Sequence, residues 1–188
     1  MPARKLIVAV AGMPGSGKSL VMNTGMQNGY AAVVMGDEVR EEAKRRKLEP
    51  TPENIGNIML ELRRTEGEDT IAKRCIPKIE EASKAKVVVD GIRSLSEVEE
   101  FKNYFGRVTL VAVHSSPETR FQRLYNRQRS DDPKNCTIFH ERDLRELGVG
   151  LGNAIAMAEY VIINEESLGS AKNRAREVLR EIERKWTT

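Results

Sequence analysis

Cysteine is scarce: Cys75 and Cys136 stand alone, far apart, and match no C-x-x-C spacing. That excludes a disulfide framework and a Cys-based zinc site, and leaves two reduced thiols as the expectation. Histidine occurs only as His114 and His140, and neither is assigned a role as a general base. Aromatic residues make up 5% of the chain. The basic run Lys44-Arg45-Arg46-Lys47 therefore lacks the interleaved rings of a base-stacking surface and reads as a solvated helix face. No apolar run approaches the roughly 18 residues of a membrane span, and Met1 to Lys5 lead into an apolar strand with no signal-peptide core. A cytoplasmic protein without a membrane partner is expected. Nor is either charge in excess, with 31 Lys and Arg against 28 Asp and Glu for a net charge of +3. That is modest for a nucleic-acid binder, so nucleic acid is not the expected partner. No N-K-x-D guanine signature is present.

What is there begins with Gly12 to Ser19, Gly-Met-Pro-Gly-Ser-Gly-Lys-Ser, which fits G-x-x-x-x-G-K-[ST] at every fixed position. The apolar run from Leu6 to Ala11 precedes it and a helix-compatible stretch from Leu20 to Gln27 follows. Phosphate-loop chemistry requires this strand–loop–helix setting. The loop turns successive backbone N–H groups inward and sets a helix N-terminus behind the anion. Gly12, Gly15 and Gly17 allow the close approach, with Met13, Pro14 and Ser16 between them. Lys18 reaches the β- and γ-phosphates and the Ser19 hydroxyl holds Mg²⁺, so ATP and Mg²⁺ are the expected cofactors.

Along the chain, strands alternate with helices and no repeat appears, over a length of 188 residues that suits one domain. Residues 31–35 read as a second buried strand running into Gly36-Asp37. A charged helix from about Val39 is interrupted by Pro50 and Pro52. Ile55, Ile58, Met59 and Leu62 then mark an amphipathic helix. Pro77 is expected to kink or divide a helix over 68–83. Val87 to Val89, closed by Asp90, is apolar throughout, as a strand buried on both faces is. Ser96 with Glu99 reads as a capping box, and Ser116-Pro117-Glu118 as a helix start. Residues 130–136 read as a flap. Gly148, Gly150 and Gly152 are expected to break a helix begun near His140, ahead of a last strand over 160–164 and a terminal helix over 168–186.

Three further segments carry a resemblance to nucleoside monophosphate kinases. Gly36-Asp37-Glu38-Val39-Arg40 resembles their T-G-D-x-x-R element, in which the arginine grips the acceptor phosphate. The plainer alternative is that Asp37 caps a helix and Arg40 is solvated. Val87 to Arg93 is similar to their strand and D-G-F-P-R segment, although the proline is missing and the copy is one residue shorter. Here Arg93 would face the acceptor, and Asp90 would orient a metal-bound water or simply bond backbone. Arg123-Leu124-Tyr125-Asn126-Arg127 with Arg129-Ser130-Asp131-Asp132 resembles the start of the adenylate kinase lid, and Arg142 falls where a further lid arginine would. Arg120, Arg123 and Arg127 at helical spacing also fit an ordinary solvated face that pairs with Glu118. Ala158-Glu159-Tyr160-Val161-Ile162-Ile163-Asn164 resembles instead the A-D-Y-V-I-x-N strand of dephospho-coenzyme A kinases.

Together these segments mark the chain as similar to the archaeal adenylate-kinase-like or dephospho-coenzyme-A-kinase-like P-loop proteins from about Lys5 to Asn164. The resemblance implies an α/β three-layer sandwich around a five-stranded parallel sheet. It implies an acceptor-binding helical insert at about 37–83 and a lid at about 127–145, all within a single domain. In function it implies transfer of the ATP γ-phosphoryl to a small nucleotide or nucleotide-like acceptor. Lys18, Arg123, Arg127, Arg129 and Arg142 would be catalytic, Asp37, Arg40 and Arg93 would bind the acceptor, and Ser19 and Asp90 would serve the metal. A dephospho-coenzyme A kinase and a nucleotide-binding regulatory or RNA-associated ATPase stay open beside this reading.

Overall fold

In the computed structural model, which describes residues 5–129 and 132–187, five strands form one parallel sheet in the order β2-β3-β1-β4-β5. They are β1 (Leu6–Ala11), β2 (Ala31–Val34), β3 (Lys86–Ile92), β4 (Val108–His114) and β5 (Tyr160–Ile163). The helices are α1 (Lys18–Gln27), α2 (Met35–Arg45), α3 (Pro52–Glu66), α4 (Thr70–Glu81), α5 (Leu95–Phe105), α6 (Pro117–Arg127), α7 (Cys136–Val149), α8 (Leu151–Ala156) and α9 (Leu168–Thr187). β1 lies between β3 and β4, which accounts for a strand apolar at all six positions and buried along its whole length. Its side chains divide by alternation. Ile7, Ala9 and Ala11 join the core under α2–α5 and α8, whereas Leu6, Val8 and Val10 meet α1 and the Ala171, Ala175, Val178, Leu179 and Ile182 stripe of α9. The result is a sheet between two helical layers, as the resemblance implies.

The strand order also decides where a ligand can sit. The chain leaves β1 toward β2 but leaves β3 toward β4, so the loops at the carboxyl ends of these neighbouring strands diverge and open a crevice. At that end Val10 pairs with Asp90 but Ala11 pairs with Ile92, so β3 holds one extra residue, Gly91, at φ 107°.

Several boundaries differ from the sequence reading. The cap of α5 is Ser94, whose side chain accepts from the Glu97 N–H, and Ser96 instead bonds Glu68. Both serines stand three residues before a glutamate, so the pattern alone does not choose between them. Pro77 does not divide α4, which runs unbroken from Thr70 to Glu81. Gly148 and Gly152 are helical, and the break falls at Gly150 alone, at φ 108°. Only there does the chain need the left-handed backbone that ends α7.

A buried ion pair ties the α3 layer to the sheet. The Arg63 guanidinium bonds the Glu97 carboxylate, which also accepts from the Arg93 N–H at 2.7 Å. The two side chains are 8% and 0% exposed. Burial keeps the Glu97 pKa above its ordinary value even with Arg63 beside it. Removing one partner strands the other charge. Arg63→Met should therefore cost about 3–5 kcal/mol in urea unfolding, and Arg63→Met with Glu97→Leu should recover most of that loss. A single variant within about 1 kcal/mol of the parent would show the pair to be incidental.

Candidate nucleotide and acceptor site

The loop between β1 and α1 closes on itself through Ser16 N–H to the Met13 carbonyl at 3.0 Å. The Pro14 and Ser16 carbonyls are held from outside. The Ser16 carbonyl accepts from the Asn164 amide at 2.9 Å, from the Ser115 hydroxyl at 3.2 Å and, at 3.5 Å, from Arg123. The Pro14 carbonyl accepts from Arg120 at 3.1 Å. The glycines are sterically required. A Cβ on Gly17 (φ 94°) would lie 2.1 Å from the Asn164 amide nitrogen, and one on Gly15 (φ 83°) would lie 2.6 Å from the Arg120 carbonyl. Lys18 folds back into the loop and donates to the Gly12 carbonyl at 2.7 Å and the Met13 carbonyl at 3.4 Å. Enclosure there pushes its pKa below the ordinary value, against the pull of the Asp90 carboxylate.

Two orphaned atoms test whether phosphate and metal fit. The Ser16 hydroxyl is buried inside the loop without a hydrogen-bond partner, as is Asp90 Oδ1 at the end of β3. Burial raises the Asp90 pKa and Lys18 lowers it. Ser19 is exposed on the first turn of α1. A hydroxyl and a carboxylate oxygen are suitable donors for Mg²⁺, and the loop for a phosphate chain.

Two hollows flank this centre. The larger, about 790 Å³, lies against Gly17, Asn23, Gln27, Arg123, Asn164 and Lys172, between α1 and the start of α9. The smaller, about 50 Å³, lies under α2 and α3 and is lined by Arg40, Ile55, Arg93, Arg142, Arg145 and Glu146 among others. The Lys18 ammonium feels Asp90, Arg93, Glu146 and Arg142, so the loop and the smaller hollow share one electrostatic field.

The residues singled out in the sequence separate into groups. Arg123 lies at the loop, bonded to the Ser115 hydroxyl and the Asn164 carbonyl, each at 2.9 Å. Arg127, Arg129 and Arg142 gather at Asp132. Arg127 makes a two-pronged pair with it at 2.9 and 2.5 Å, the Arg129 N–H donates at 2.9 Å, and Arg142 lies 3.9 Å away. The Arg129 side chain is exposed, and Ser130 and Asp131 fall outside the described residues. Asp37 does not cap α2. The cap position is Val34, and Asp37 sits in the first turn bonded to Arg40 at 2.9 Å. Arg93 is bound by both oxygens of Glu146. Although burial acts to raise the Glu146 pKa, Arg93 and Arg142 hold it below its ordinary range.

Sequence reasoning passed over Ser115, Asp143, Arg145 and Glu146, and for Arg120 kept open a solvated helix face. In fact Arg120 is 4% exposed and grips Asp143 at 2.9 and 2.6 Å while it braces the loop. The one sequence signal was the alternation Arg142-Asp143-x-Arg145-Glu146, which an ordinary ionic helix surface also shows. Among the described residues no group of three or more His, Cys, Asp or Glu could hold a metal by itself, and no helix is long and apolar enough to cross a membrane.

A parallel 2-3-1-4-5 sheet with a glycine-lysine loop after β1 defines a P-loop, nucleotide-binding protein of kinase-like fold. The AAA domain family matches residues 11–137, and the chain belongs to it. Within that class it belongs with the UPF0200 proteins. That of Hyperthermus butylicus is 48% identical over 177 residues, covering 94% of this chain and 95% of the relative. That of Methanocaldococcus jannaschii is 48% identical over 179 residues, covering 94% and 90%. Among solved structures, shikimate kinase from Acinetobacter baumannii in complex with shikimate is similar in fold, with a TM-score of 0.59 over 96% of this chain and 94% of that one, at 14% identity.

The contact between Gly17 and Asn164 yields a prediction. Gly17→Ala should lower affinity for an ATP analogue at least tenfold in calorimetric titration, because the added methyl displaces the amide that holds the Ser16 carbonyl. Asn164→Ala in the same background should restore part of it. Unchanged affinity in Gly17→Ala would show that the loop tolerates displacement.

Proposed function

We propose that this chain is a P-loop kinase that moves the γ-phosphoryl group of ATP, with Mg²⁺, to a small nucleotide or nucleotide-like acceptor. The observation that carries the reading is the placement, at the carboxyl ends of the neighbouring strands β1 and β3, of a phosphate loop beside a pocket lined by Arg40, Arg93, Arg142 and Arg145. An ATPase needs the loop but has no use for a second anion-adapted pocket facing it.

In this reading Gly12 to Ser19 cradle the donor phosphates and the larger hollow takes the nucleoside. Lys18 moves from its own loop carbonyls to the β- and γ-oxygens. Ser19 and Asp90 would hold Mg²⁺, which would supply charge neutralisation on the phosphates. Arg123, Arg127, Arg129 and Arg142 present planar donor forks toward the transferring group, whose charge spreads over its equatorial oxygens. Asp37, Arg40 and Arg93 receive the acceptor. A hydroxyl acceptor, as in dephospho-coenzyme A kinases, is the second reading. The observation favouring it is that Arg40, in the pocket wall, is already engaged by the Asp37 carboxylate, a group that can orient a hydroxyl proton.

ADP formation over a panel of mononucleotides, coenzyme A precursors and small alcohols tests the proposal. Lys18→Ala should abolish turnover and weaken ATP-analogue binding; wild-type rate and affinity in that variant would overturn it. With the best acceptor, Arg40→Ala should raise KM about tenfold if the group gripped is a phosphate, as expected for a charge-assisted bond. If the accepting group is a hydroxyl, Asp37→Asn should do more harm than Arg40→Ala. Arg127→Ala and Arg142→Ala should lower kcat more than they raise the KM for ATP, since charge stabilisation is felt in the transition state.

A further inference from the structure

The smaller pocket contains a cation that the roles above leave unused. Arg40 has Asp37, Arg93 has Glu146, and Arg142 has Asp132 within 3.9 Å. Arg145, one helical turn beyond Arg142 on α7, has no carboxylate within salt-bridge distance among the described residues, and its Nε is buried with no hydrogen-bond partner. The Arg145 side chain as a whole is half-buried, and an enclosed N–H without an acceptor is unfavourable unless a ligand or water completes it.

The opposite wall is shaped for this side chain. Gly56 lies in the interior of α3, where glycine weakens a helix. A Cβ there would sit 2.9 Å from the Arg145 guanidinium carbon and 3.0 Å from two of its nitrogens. The missing methyl lets the planar group lie against the α3 backbone, with Gly36 of α2 and Ile55 of α3 beside it in the pocket wall. Contact on that side restrains the guanidinium, so an incoming anion meets a fork already held in place.

We propose that Arg145 is a specificity-determining residue for the acceptor, and that the acceptor carries a compact oxyanion, a phosphomonoester or a carboxylate, bound by this guanidinium in the pocket between α2, α3 and α7. The proposal rests on the kinase reading for the word acceptor, whereas the anion site itself does not depend on turnover. Neutral alcohols and nucleosides are then poor acceptors beside their anionic counterparts, because they leave the Arg145 charge uncompensated.

The test follows the Arg145 Nε–H signal in ¹H–¹⁵N spectra of the full chain with the phosphate loop filled by a non-hydrolysable ATP analogue. The signal is assigned by its loss in Arg145→Lys. Inorganic phosphate and acetate are titrated separately, with sodium chloride holding ionic strength constant. A saturable shift with phosphate identifies a phosphomonoester acceptor, and one with acetate a carboxylate acceptor. Gly56→Ala, which crowds the guanidinium, should weaken that response at least tenfold while affinity for the ATP analogue stays unchanged. No saturable shift with either anion, or a shift that chloride reproduces, overturns the proposal. Failure to bind the ATP analogue overturns the kinase reading instead, and the same titrations on the nucleotide-free protein still decide whether Arg145 holds an oxyanion.

Discussion

A loop that turns its backbone N–H groups toward a phosphate must turn carbonyls the other way, and each of those carbonyls, once buried, requires a donor. This requirement organises the chain. Gly12 and Met13 are satisfied by Lys18, Pro14 by Arg120 from α6, and Ser16 by Asn164 after β5, by Ser115 after β4 and by Arg123 from α6. Side chains far apart in sequence thereby converge on one turn, and Arg120 passes the constraint on to Asp143 of α7. The loop geometry is thus a property of the sheet's carboxyl edge as a whole. It depends on β4 and β5 ending in register, which the bond from the Asn164 N–H to the His114 carbonyl at 2.8 Å secures.

How much of this could be read beforehand follows from which physical signals are local. The strands β1, β3 and β4 announce themselves because a strand covered on both faces must be apolar without alternation. The phosphate loop announces itself because its steric demands fix glycine, lysine and serine at set spacing. The brace around it is silent. Asn164 was visible only as the end of a strand similar to that of another kinase family, and nothing in the local sequence ties it to Ser16, 148 positions away. Asp143 and Glu146 are acids within a polar helix. Their burial, at 9% and 3% exposure, arises wholly from Arg120 and Arg93 arriving from other elements.

The ambiguous turns have the same origin. Ser94 and Ser96 offer equal capping patterns, and the choice falls to Ser94 because Glu97, three residues on, is the glutamate drawn inward by Arg63 and the Arg93 N–H. A local preference is settled by a buried charge. Likewise α7 passes through Gly148, whose conformation is undemanding, and stops at Gly150, where φ is 108°.

The two halves of the site differ in how their cations are satisfied, and that difference suits their proposed tasks. On the donor side Lys18 and Arg123 donate to backbone carbonyls of the loop or its supports. A carbonyl carries no net charge, so Lys18 can exchange it for a phosphate oxygen and gain a charge-assisted bond. On the acceptor side Arg40 and Arg93 face carboxylates. For them an arriving oxyanion exchanges one charged partner for another. A cation with no such partner to surrender has more to gain from the acceptor, and among the described residues of this pocket the guanidinium of Arg145 meets that condition.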